Sequence, residues 1–158
     1  MAITGIFHIN LNCRDYERSR RFYEALGFRI ERDFPEGGHP AVSEGLGVGD
    51  HRVKGALMAI GADGAGARLD LLEWIRPSNP GKATATLTDP GFVRIALWTD
   101  DFAGDVEKLR GLGAEFISEP IMVAGEHGPR PMLVCVRDPD GNVLELIPAP
   151  RRPTAAAS

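Results

Sequence analysis

Cysteine is scarce in this chain. Only Cys13 and Cys135 occur in 158 residues, far apart and in no CxxC pattern. That spacing suits a reducing cytoplasm better than a disulfide framework, with both thiols expected to be buried and without a role. No apolar run is long enough to span a bilayer, so no membrane partner is expected. The start, Met1 to Ile6, has no basic region followed by an apolar stretch and does not read as a signal peptide. A large excess of one charge is also lacking. The formal net charge is −4, which gives no electrostatic reason to bind nucleic acid or an anionic membrane. What is present is ordinary for a folded protein: 43% apolar and 25% charged residues, in a length that suits one compact domain or two small halves sharing one core.

The most informative feature is an internal repeat. Gly5-Ile6-Phe7-His8-Ile9-Asn10-Leu11 is followed by Asp15, a helical stretch and Leu26-Gly27. Gly91-Phe92-Val93-Arg94-Ile95-Ala96-Leu97 is followed by Asp101, a helical stretch and Leu112-Gly113. Gly5 and Gly91, Asp15 and Asp101, and Gly27 and Gly113 are each 86 positions apart. In each copy, apolar residues alternate with others as in a strand with one face on a core. Asp15 and Asp101 stand where a helix N-cap is needed. Ser19, Phe22, Tyr23 and Leu26 then fall at helical spacing, as do Phe102, Val106 and Leu109. Gly27 and Gly113 stand where helices commonly end in a left-handed residue.

Shorter β-like segments follow each helix: residues 28–33, 53–60 and 68–74 in the first half, and 115–117, 132–137 and 143–147 in the second. Asp138-Pro139-Asp140-Gly141-Asn142 has strong turn chemistry between the last two, and the Gly-rich stretch 61–66 is expected to do the same in the first half. The reading is therefore an α+β fold of two tandem βαβββ modules, residues 5–75 and 91–148. Residues 76–90 form a linker and 149–158 a frayed tail. Such a duplication is expected to close its two half-sheets around a shared concavity. Matching positions would then face each other: His8 and Arg94 from the first strands, Asp70 and Glu145 from the fourth.

A histidine on the first strand, Phe22-Tyr23 ahead of Leu26-Gly27-Phe28, and the late Asp138-Pro139-Asp140-Gly141-Asn142-Val143-Leu144-Glu145 resemble the vicinal oxygen chelate superfamily. That group holds glyoxalase I, bleomycin-resistance proteins and extradiol dioxygenases. The resemblance runs from Gly5 to about Pro148. It implies a U-shaped mixed sheet around a central cleft, with a divalent metal held by residues of the first and fourth strands of each module. His8, Asp70 and Glu145 match ligand positions. Arg94 departs from the pattern, because a guanidinium stays protonated and has no lone pair to donate. This speaks against the dioxygenase branch, which needs two histidines and a carboxylate, and weakens the glyoxalase I reading.

The expectation is a metal-assisted lyase or isomerase acting on a small oxygen-bearing molecule. Glu145 would double as the proton-transfer base, and Arg94 would pair with an anionic group of the substrate. The alternatives are a metal-free protein that sequesters a small molecule, and a non-catalytic dimeric scaffold with a relic site. If Arg94 neutralises the carboxylates, it should lie within hydrogen-bonding reach of at least one of them. Trp74 and Trp98, on the strand faces of Asp70 and Arg94, either line a pocket or pack in the core. A one-residue slip of register would turn Glu73 inward in place of Asp70. His39, His51 and His127 lie in polar or Gly/Pro-rich segments and read as surface histidines, with His127 a weak substitute ligand. The expected partners are a small molecule and a second copy of the chain in a homodimer.

Overall fold

The computed structural model describes residues 3, 5–61, 66–78, 81, 83, 86–88, 90–126 and 128–150. It divides the chain into two compact units, residues 1–82 and 83–158. Unit 1 holds β1 (Ile9–Cys13), α1 (Tyr16–Ala25), β2 (Arg29–Gly37), α2 (Pro40–Gly45), β3 (Arg52–Ala59) and β4 (Arg68–Arg76). Unit 2 holds β5 (Arg94–Thr99), α3 (Phe102–Gly111), β6 (Glu115–Phe116), β7 (Ile121–Val123), β8 (Arg130–Arg137) and β9 (Val143–Pro148). The four-stranded sheet of unit 1 has the order β1-β4-β3-β2, and unit 2 repeats it as β5-β9-β8-β6, with β7 also on β8. Each unit is thus a βαβββ module, as the repeat implied. Among the described residues, no helix is long and apolar enough to cross a membrane.

The helices form where the sequence places them. Asp15 and Asp101 are extended N-cap residues whose carboxylates accept from Arg18 N–H and Gly104 N–H, satisfying first-turn donors that have no partner within the helix. Gly27 and Gly113 follow the helices at φ +94 and +73, a region that costs other residues strain. Tyr16, Ser19, Phe22 and Tyr23 make the buried stripe of α1. Tyr23 is fully buried, with its ring edge-on to Phe22 and Phe28. In unit 2, Val106 and Leu109 of α3 are buried, as are Val134, Val136, Leu144 and Leu146 of the sheet.

Three features differ from the expectation. The first strands begin later than the repeat suggested, because a strand exists only where a partner does. Ile9 pairs with Leu69 at the start of β4, and Arg94 with Val143 at the start of β9. His8 therefore sits just ahead of β1. Second, α2 and β7 were not anticipated, since six and three residues carry too little periodicity to be seen in sequence. Third, β4 runs through Arg76, the first residue assigned to the linker. Beyond β9, Ala149 N–H still donates to Thr99 O at 2.8 Å, while residues 151–158 of the tail lie outside the described residues.

Candidate functional site

The pairing register decides which side chains share a face. Asn10 pairs with Asp70 across β1 and β4, and Ala96 pairs with Glu145 across β5 and β9. Positions 10 and 96 are repeat equivalents, so the two carboxylates occupy equivalent places, each on the face of its own sheet away from the helix. Glu73 is on the helix side instead. Its Oε2 accepts the Tyr16 N–H at 2.8 Å and an ion pair from Lys54 Nζ at 3.1 Å. A carboxylate at the first turn of α1 also complements the helix dipole. The alternative register is thereby excluded.

In unit 1, His8 Nε2 lies 3.8 Å from Asp70 Oδ2. Asn10 Nδ2 donates to the same oxygen and to the Asp70 carbonyl, both at 3.2 Å. Two atoms of this cluster, His8 Nδ1 and Asp70 Oδ1, are buried without a hydrogen-bond partner among the described residues. Buried polar atoms left this way are costly and commonly mark a place that something else fills.

Unit 2 resolves the same geometry differently. Arg94 Nε donates to Glu145 Oε2 at 2.6 Å, the contact expected of Arg94 if it neutralises a carboxylate. Glu145 has a side chain only 9% exposed, against 45% for Arg94, so the pair is a buried carboxylate capped by a half-exposed cation. Cys135 sits directly across from Glu145. Burial pushes its thiol up from the ordinary cysteine value, the Glu145 carboxylate pushes it further, and Arg94 opposes both. Among the described residues, neither cysteine forms a disulfide. Cys13 is buried as expected, but Cys135 is only half-buried, because it lies on the open face rather than the helix face.

The tryptophans separate. Trp74 is half-buried, and its Nε1–H donates to Asn12 Oδ1 at 2.8 Å. Trp98 is 67% exposed within the structure, so it is not core of unit 2. One histidine reading is overturned. His51 is 5% exposed rather than a surface residue. Its ring and its N–H both meet Ser43 Oγ, and the ring lies against Trp74. The unanticipated helix α2 carries Ser43 and so buries it. His39 caps α2, accepting from Ala41 N–H. His127 lies outside the described residues. Asn10 and Asn12 were missed as site residues, although their alternation with Ile9 and Leu11 placed them on the side of His8.

A family model described as the Glyoxalase/Bleomycin resistance protein/Dioxygenase superfamily matches residues 5–146. The chain belongs to this superfamily. A glyoxalase family protein of Bacillus cereus is 19% identical with a TM-score of 0.82, covering 94% of this chain and 95% of its own. The trypanothione-dependent glyoxalase I of Leishmania major is 20% identical with a TM-score of 0.61, over 92% and 87%. A fosfomycin resistance protein of Listeria monocytogenes is 20% identical with a TM-score of 0.54, over 94% of both. Identities this low establish the fold alone. No curated protein matches the sequence.

Members of the superfamily often use a divalent metal. The donors here fit one only in part. Unit 1 offers His8 and Asp70 with an unpartnered atom on each. Unit 2 offers Glu145 already bonded to Arg94, and Arg94 has no lone pair. Among the described residues, no three His, Cys, Asp or Glu side chains gather in metal-binding geometry.

Proposed function

We propose that this chain binds a small oxygen-bearing molecule without a metal, in the manner of the sequestering members of its superfamily. The observation that carries this reading is the Arg94–Glu145 bond of 2.6 Å. It supplies from within unit 2 the positive charge a metal would otherwise bring. The Nε–H is committed to Glu145, and the terminal amino groups of the guanidinium are the donors for a ligand oxygen. Trp98, four residues along β5 from Arg94 and on the same strand face, offers flat apolar surface in unit 2.

A second reading, a metal-assisted lyase or isomerase with His8, Asp70 and Glu145 as ligands, draws on the unpartnered His8 Nδ1 and Asp70 Oδ1. Calorimetric titration with Ni²⁺ separates the two. In the first reading the parent binds Ni²⁺ weakly, and Arg94→His, which gives unit 2 a histidine–carboxylate pair like that of His8 and Asp70, binds it at least about tenfold more tightly, about 1.4 kcal/mol. Tight binding of one equivalent by the parent, lost in His8→Ala and unchanged in Arg94→His, rejects the metal-free reading in favour of the second.

A further inference from the structure

We propose that Ser43 and His51 are positioning residues for Trp74, so that α2 sets one wall of the open face of unit 1. Ser43 and His51 are 7% and 5% exposed. Ser43 Oγ is 2.5 Å from His51 Nδ1 and accepts the His51 backbone N–H at 3.3 Å. A hydroxyl has one proton and two lone pairs. One lone pair takes the backbone N–H, and the hydroxyl shares a second hydrogen bond with Nδ1, with the donor set by the imidazole tautomer. Each group satisfies the other, and loss of either leaves a buried polar atom alone.

The imidazole so fixed lies 5.9 Å from the Trp74 ring, centroid to centroid, at 49°. On another side the indole N–H is bound to Asn12 at 2.8 Å. Trp74 is thus held from β1 through Asn12 and from the β2–β3 connection through His51. Trp74 and Asn12 are four and two residues along from Asp70 and Asn10, hence on the same face as the His8–Asp70 cluster. Unit 2 has no counterpart of α2 among the described residues. The position equivalent to Asn12 there is Trp98, 67% exposed. The α2 connection therefore gives unit 1 a fixed aromatic wall where the repeat alone provides none. The relevance of this wall to a ligand rests on the binding function proposed above; the positioning itself does not.

The test uses the full chain carrying Trp98→Phe, which leaves Trp74 as its single tryptophan. Adding Ser43→Ala is expected to move Trp74 emission to longer wavelength and to raise acrylamide quenching roughly twofold, as local order is lost. Ser43→Thr, which keeps the hydroxyl, should return both. His51→Asn retains a partner for Ser43 but removes the ring, and should shift the emission in the same direction as Ser43→Ala. Unchanged emission and quenching in Ser43→Ala and His51→Asn, with only a lower urea midpoint, overturns the proposal. So does a shift that Ser43→Thr does not reverse. No ligand or metal is added, so this outcome is independent of the Ni²⁺ titration that tests the function.

Discussion

Arg94 and Glu145 show how one residue changes what a repeated position does. His8 stands at 3.8 Å from Asp70 and leaves an oxygen unpartnered, whereas Arg94 closes on Glu145. Removing the cation strands a carboxylate that is only 9% exposed. Arg94→Met is expected to cost about 1–3 kcal/mol, less than a fully buried pair because Arg94 is half in solvent. Arg94→Met with Glu145→Leu should recover most of that loss, since it removes both charges together. Urea denaturation of the parent, both single variants and the double variant measures the coupling, and additive losses would mean that the pair does not act as a unit. Cys135 reports on the same charges. Its thiol is held above the ordinary cysteine value, so less of it is thiolate at any pH below that value. Iodoacetamide labelling should be slower than for a free cysteine and still rise with pH beyond the ordinary thiol range. Glu145→Gln removes the repelling charge and leaves Arg94, so it should speed labelling; mass spectrometry at a series of pH values reads this, and a slower rate would contradict the assigned cause.

At the scale of the element, the turn before β9 fixes where Glu145 stands. Asp138 is 5% exposed. Its Oδ1 accepts from Asp140 N–H at 2.9 Å and Asn142 N–H at 2.8 Å, and its Oδ2 from Asn142 Nδ2 at 2.9 Å. Gly141 follows at φ +93, where a side chain would be strained. The carboxylate therefore organises the turn that sets the register of β9 against β8. Asp138→Ala should destabilise the protein by about 2–4 kcal/mol, from several buried donors losing one acceptor. A change in the urea midpoint of less than half the corresponding shift would mean that backbone geometry alone holds the turn. This chemistry was legible in the sequence, because Asp-Pro-Asp-Gly-Asn names its own conformation. The helix α2 was not, since its place comes from Ser43 meeting a histidine eight residues on.

For the whole molecule, the repeat extends from sequence to strand order and to the register of the acidic positions. Each unit buries its own apolar stripe. Leu71 in β4 and Leu144 in β9 are fully or almost fully buried. Several large apolar side chains stay exposed within the chain, among them Phe92, Ile121, Met122 and Met132. Superfamily members often pair, and exposed apolar surface of this kind favours association. We expect a homodimer, and sedimentation velocity giving a single monomeric species at micromolar concentration would refute it.

The sequence by itself determined the duplication, the capped helices and the family, and it set His8 and Arg94 at matching positions of the two copies. These follow from spacing that needs no partner to be seen: period two in strands, aspartate before a helix, glycine after it. Only the tertiary structure decided between Asp70 and Glu73, because the choice depends on which face of β4 meets the start of α1. It also decided that His51 is buried, that Cys135 is not, and that Arg94 takes up Glu145 while His8 leaves Asp70 partly unpartnered. Those outcomes depend on what folds against each residue from far along the chain, and a local pattern carries no record of that.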